Sequence, residues 1–126
     1  MVHVEDFRKL SLYQKSLDFC YAVYRFIENN AVELKSEEEL KIRKMAVRIP
    51  AAIAAGIGQT NMKIRFKSLN KAKGMLMEFE VLMSKLVQVT EIKQSEYREL
   101  QNYYDQLIKL MNAYFSWMSK RRNQNI

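Results

Sequence analysis

The residues of this sequence best equipped for chemistry are its cations. Lys41, Arg43, Lys44, Arg48, Lys63, Arg65, Lys67, Lys71 and Lys73 fall between positions 41 and 77, a segment that holds no Asp or Glu. That segment carries +9 and the other residues together carry −2, so the whole net charge of +7 originates in one third of the chain. A block of this kind suits a polyanion, because each cation that neutralises a phosphate releases a condensed counterion. The plainer alternative is a solvated face that keeps the protein soluble.

Groups for catalysis are few and badly spaced. A di-metal bundle site needs Glu from two helices and Glu-x-x-His from two more, but the one histidine is His3, near the start of the chain. Cys20 is the only cysteine. It falls on an apolar stripe with no His to activate it, as expected of a buried structural thiol in a reducing compartment. Glu78 and Glu80 could act as an acid and base pair, yet two positions apart on a helix they point about 200° away from each other. "GIGQTN" (56–61) has two glycines but neither the preceding strand nor the following Lys-Ser/Thr of a phosphate loop. These residues predict a protein that is not an enzyme, with no catalytic residue, metal or cofactor.

The elements that must position the cations are legible from periodicity. The 126 residues fit one domain, with 1–10 and 120–126 expected as less ordered tails. Three glycines and one proline are few punctuating residues and favour long helices. Tyr13, Leu17, Cys20, Tyr24 and Ile27 recur every three or four positions, which predicts a first helix from Leu12 to about Asn29, with Ser11 and Gln14 as its capping box. Ser36 and Glu39 form a second such box, followed by Ile42, Met45, Ile49, Ile53 and Ile57. This ladder passes through Pro50 without losing phase, so the second helix is expected to run from Glu37 to about Gly56 with a bend at the proline. Phe66, Leu69, Ala72, Leu76, Phe79, Met83 and Leu86 predict a third helix from Lys63 to about Thr90, in which Gly74 is tolerated if something packs closely there. Tyr97, Leu100, Tyr104, Leu107, Met111, Tyr114 and Met118 predict the fourth. The fold class is all-α, an up-and-down four-helix bundle. No apolar run reaches the ~20 residues of a membrane span, and "MVHVEDFRKL" lacks the apolar block of a signal peptide, so a cytoplasmic protein with no membrane partner is expected.

On a wheel of about 100° per residue, Ile42, Ala46, Ile49 and Ile53 face the core of the second helix. Lys41, Lys44 and Arg48, then Ala51, Ala52 and Ala55, lie opposite. Small outward residues let another backbone approach, which marks Ala51, Ala52 and Ala55 as candidate contacts with a second subunit; alanine is also simply the best helix former. Lys63, Lys67 and Lys71, four apart, form a second cationic stripe on the third helix. Among the aromatics, only Tyr103 and Trp117 lie on a flank where they could stack on bases, so backbone electrostatics is the expected mode of binding.

"FRKLSLYQKSLDF", "IRKMAVRIPAAIAAGIG" and "RFKSLNKAKGMLMEFE" resemble, in order and spacing, the four-helix bundle proteins encoded by intervening sequences of bacterial 23S ribosomal RNA genes. Ile49-Pro50, Ile53-Ala54, Gly56 and the series Leu69, Ala72, Gly74 and Glu78 carry the resemblance, and Phe7, Leu10, Tyr13, Gln14 and Lys15 agree with it. It departs at Ala55, where members usually have Glu, and at Gln59, Thr60 and Asn61, where they are more basic. The resemblance implies an interior proline, assembly as a homopentameric ring, and kinship with accessory proteins of diversity-generating retroelements, which work with a reverse transcriptase and its RNA.

Together these features predict a non-enzymatic homo-oligomeric bundle that binds RNA or DNA through Lys41, Lys44, Arg48, Lys63, Lys67 and Lys71. The alternative is an interaction scaffold, or an accessory subunit for a nucleic-acid enzyme such as a reverse transcriptase, whose cations meet an acidic protein.

Overall fold

A computed structural model describes residues 4–124, which form four helices: α1 (Val4–Asn29), α2 (Ser36–Ile57), α3 (Met62–Val89) and α4 (Gln94–Gln124). No strand occurs among the described residues. Consecutive helices pack side by side and α4 closes on α1, while diagonal helices meet only through long side chains. The Phe19 and Phe79 rings do so from α1 and α3, edge to face with centroids 5.2 Å apart. This is the expected up-and-down bundle. His3, the ends 1–3 and 125–126, and the side chains of Val4, Glu5, Phe7, Arg122, Asn123 and Gln124 lie outside what is described.

On three helices most of the predicted ladder positions form the core, with Phe66 of α3 exposed and Met45, Ile57 and Tyr104 only partly buried. Ile42, Ala46, Ile49 and Ile53 of α2, Leu69, Ala72, Leu76, Phe79 and Met83 of α3, and Leu100, Leu107, Met111, Tyr114 and Met118 of α4 are buried in one cluster. Each large side chain removed from water there contributes about 1.5–3 kcal/mol before ordering costs. On α1 the reading is rotated by part of a turn. Leu12, Ser16, Phe19, Val23 and Phe26 occupy the centre with Cys20 and Ile27, whereas Tyr13, Leu17 and Tyr24 sit at the rim.

Helix ends depart from the expected caps. Ser11 lies inside α1, which is already helical at Val4, so Ser11 and Gln14 cap nothing; Gln14 donates to Asp18 instead, at 3.2 Å. At α2 the cap moves one residue, to Lys35, whose N–H donates to the Glu38 carboxylate at 3.0 Å. Glu37, Glu38 and Glu39 in the first turn favour the positive end of the helix dipole. α2 then runs unbroken through the buried Pro50. At α3 the Asn61 side chain accepts from the Ile64 N–H at 3.1 Å, one of the orphan donors of a helix start.

Two glycines do opposite things. A Cβ on Gly56 would lie 2.7 Å from Leu69 Cδ2 and 2.9 Å from its Cγ, so the bare backbone of Gly56 is what lets α2 and α3 approach. A Cβ on Gly74 would meet nothing within 4 Å. The close packing expected at Gly74 is therefore absent within this chain, and the residue faces open space.

Candidate functional site

The nine cations of 41–77 separate into three groups according to the helix face that each occupies. Arg43 is consumed by structure: it pairs with Glu39 at 2.9 Å and covers the Tyr24 ring of α1 at 5.3 Å. Lys73 turns toward α4, where it donates to the Asn112 side chain at 2.7 Å and lies 5.7 Å from the Phe115 ring centroid. Arg65 is 3% exposed, and its guanidinium donates to the Gln59 carbonyl at 2.8 Å and reaches the Tyr114 hydroxyl at 3.5 Å. It ties the α2–α3 turn to α4. Phe66, expected in the core, is displaced outward by one position and rests against the Phe115 ring at 5.2 Å.

The remaining six cations are the predicted site residues, and all six are exposed. Their charges are not satisfied by carboxylates of the described residues. Lys41, Lys44 and Arg48 stand on the α3-facing flank of α2, and Lys71 stands opposite them on α3. Between them runs a groove of about 630 Å³ with Met45, Met75 and Gly74 along its floor and Glu78 on its α3 side. Both methionines pack against the core cluster, so the groove has an apolar base and a cationic rim. Lys63 and Lys67 lie outside it, toward the N-terminal end of α3; Lys63 instead borders a shallow cleft beside Phe66 and Met118.

Such a rim can hold phosphate oxygens. Lysine ammonium groups act as mobile point charges and Arg48 adds a planar fork of donors. A second surface cleft, about 420 Å³ between α1 and α4, is a contrast, because its cations are already engaged: Lys15 donates to Gln106 at 3.1 Å and Arg25 covers Tyr103. Arginines of the same chain lie against both flank aromatics, Arg25 on Tyr103 and Arg8 with Arg121 on Trp117. That cover removes them as ready stacking platforms.

The small-residue face is larger than alanine alone suggests. Ala51 and Ala55 are exposed, whereas Ala52 is half-buried on the α3 side and packs on the core. Leu40 (55% exposed), Val47 (49%) and Ala54 complete a ridge with Ala51 along the outermost line of α2. Lys44 separates this ridge from the groove.

Burial pushes the Cys20 thiol above its ordinary range, consistent with an inert core residue. Burial also raises the Tyr97 and Tyr104 phenols. Tyr97 donates to the Glu80 carboxylate at 3.1 Å and lies 3.2 Å from the Ser84 hydroxyl, so Glu80 is a strut of the α3–α4 seam while Glu78 faces the groove. Among the described residues no three of His, Cys, Asp and Glu are grouped to hold a metal ion, and no helix is long and apolar enough to cross a membrane.

Periodicity placed the rim residues but not the floor. The spacing sets Met45 on the core ladder and makes Gly74 a site for close packing, and only the pairing of α2 with α3 brings both beneath Lys44, Arg48 and Lys71. In comparisons with known proteins, the family model for the 23S rRNA-intervening sequence protein matches residues 8–113. No curated protein and no solved structure gives a significant match.

Proposed function

The chain belongs to the 23S rRNA-intervening sequence protein family, and from that premise we propose that it is a non-enzymatic, homo-oligomeric nucleic-acid-binding protein of the cytoplasm. The observation that carries this reading is the cation-rimmed groove between α2 and α3, whose charges have no carboxylate partners among the described residues. Lys41, Lys44, Arg48 and Lys71 grip phosphates there, and Lys63 and Lys67 extend the track along α3. Contacts of this kind position a backbone and carry little sequence information. The ridge of Leu40, Val47, Ala51 and Ala54 is where copies of the chain meet. A ring, five-membered by the family resemblance, multiplies a weak patch through avidity.

The test is a binding series against salt with RNA, single-stranded DNA and duplex DNA. If four cations of one subunit each neutralise a phosphate of a single strand, log K falls against log salt with a slope of about −3. Lys44→Glu with Arg48→Glu, or Lys63→Glu with Lys67→Glu and Lys71→Glu, should weaken binding and flatten that slope while leaving Tm nearly unchanged. Reversal of Lys120, Arg121 and Arg122 is the control for the basic C-terminal end of α4, which runs to Gln124 where a less ordered tail was expected from residue 120. Loss of binding only in that variant, or no salt-dependent binding by the unaltered protein, defeats the reading. The cations would then serve an acidic protein partner, as in an accessory subunit of a reverse transcriptase.

A further inference from the structure

The groove has three properties that phosphate binding does not require. Its floor is apolar, made by Met45 and Met75, whose flexible and polarisable side chains adapt to flat ligands. Gly74 leaves a stretch of bare helix in that floor, with open space where a Cβ would stand. A glycine within a helix is costly relative to alanine, and no atom of this chain makes use of the space. Finally, Glu78, one turn beyond Gly74, brings a carboxylate with no hydrogen-bond or ion-pair partner among the described residues into an otherwise cationic site. A carboxylate repels phosphate and acidic peptide alike, but it accepts hydrogen bonds from amino and imino groups.

We propose that the groove takes one unpaired nucleotide, with its base lying flat on Gly74 between Met45 and Met75, its phosphates at Lys44, Arg48 and Lys71, and its amino edge on Glu78. This rests on the phosphate-binding reading above and adds a single-strand preference to it, since a base inside a duplex cannot reach the floor. The volume of about 630 Å³ falls within the roughly 300–1,000 Å³ typical of small-ligand clefts. Guanine is the preferred base, because its N1–H and exocyclic amino group can donate together to the two oxygens of one carboxylate. Uracil has no amino group to offer. A second copy of the chain is a poor occupant, as its own net charge of +7 would approach four like charges.

The experiment uses the full chain labelled with 13C at the methionine methyls, titrated with GMP, UMP and ribose 5-phosphate, with Met45→Leu and Met75→Leu to assign the signals. GMP should shift the Met45 and Met75 methyls by ring current and bind at least about fivefold more tightly than UMP. Ribose 5-phosphate should leave both methyls nearly unmoved. Gly74→Leu, which fills the floor, should abolish the GMP response; Glu78→Gln should bring GMP and UMP to similar affinity. Unresponsive methyls, equal responses to GMP and ribose 5-phosphate, or an unchanged Gly74→Leu variant overturn the proposal. So does an oligoglutamate peptide that displaces GMP at equal concentration, which would give the groove to an acidic protein segment. Salt-dependent duplex binding without a GMP response sinks this inference alone, whereas the absence of both sinks the phosphate-binding reading with it.

Discussion

Gly74→Ala should stabilise the protein, and the same substitution at Gly56 should not. In a helix interior alanine is favoured over glycine by about 0.8–1 kcal/mol. At Gly74 nothing opposes that gain, because the new methyl meets no atom within 4 Å. For a domain of this size about 1 kcal/mol corresponds to a rise in Tm of roughly 3–5 °C. At Gly56 the same propensity gain is set against a methyl placed 2.7 Å from Leu69 Cδ2 and 2.9 Å from Cγ, with the Leu69 backbone nitrogen at 3.4 Å. Leu69 is fully buried, so it can yield only by leaving its rotamer or by pushing α2 from α3, and overpacking of this kind costs about 1–3 kcal/mol. The expected net effect at Gly56 is a loss of up to about 2 kcal/mol. Urea unfolding followed by far-UV circular dichroism reads both values, at two protein concentrations so that association is separated from folding. A destabilised Gly74→Ala variant, or a Gly56→Ala variant stabilised as much as Gly74→Ala, would refute the assignment of one glycine to the seam and the other to open space.

Pro50→Ala should keep full helicity, because the backbone regains an N–H donor and loses a ring clash; a loss of helix signal would mean that the proline terminates α2 in solution. Replacing Ala51 or Ala54 by Trp or Glu should shift the protein toward monomer in light scattering with its helices intact, since bulk and buried charge are costly in a close contact, whereas an unchanged assembly would return the ridge to plain surface. Arg65→Ala should cost about 2–4 kcal/mol, as the Gln59 carbonyl and the Tyr114 hydroxyl lose a buried donor, whereas Lys67→Ala, two positions on, should change stability by less than about 0.5 kcal/mol. In alkali, stability should fall as pH rises past about 9, because the unfolded chain can ionise Cys20 while the folded one, with its thiol pKa raised, holds the proton. Cys20→Ala should flatten that first part of the Tm profile, leaving a later fall above about pH 10 from Tyr97 and Tyr104.

Much of the bundle was legible because the ladders of α2 and α4 are unambiguous. The in-phase passage of Ile49 and Ile53 around Pro50 is a stronger signal than the proline itself, since tertiary burial of that face outweighs one missing hydrogen bond. α1 is less legible because it carries two adjacent apolar ladders, one through Leu12, Phe19 and Val23 and one through Tyr13, Leu17 and Tyr24, and periodicity alone does not say which faces inward. Ser11 and Gln14 have the spacing of a capping box, but a box ends a helix only where the preceding residues cannot continue it, and Val4 to Leu10 do continue it. Arg65 shows what composition hides. It stands four positions before Leu69, on the ladder, yet its charge deflected the reading to Phe66. A cation at a ladder position with a turn carbonyl nearby is the signal that would have found it. The groove floor could not be read at all, because whether Met45 and Gly74 are buried or open depends on the separation of two helices, which Gly56 and Leu69 set at a distance along the seam.

The order in which the helices touch also bears on how the chain acquires its shape. Three of the four seams join helices that follow one another in sequence, across the short connections 30–35, 58–61 and 90–93, and only the α1–α4 seam unites segments from opposite ends of the chain. Neighbouring hairpins can therefore form with little loop-closure entropy, and the one distant pairing, held by contacts such as Lys15 with Gln106 and Arg8 with Trp117, demands most of it. Folding should be limited by the step that brings α4 onto α1. Substitutions at Lys15 or Trp117 should then slow refolding, while substitutions confined to the α2–α3 turn act mainly on the rate at which the native bundle comes apart.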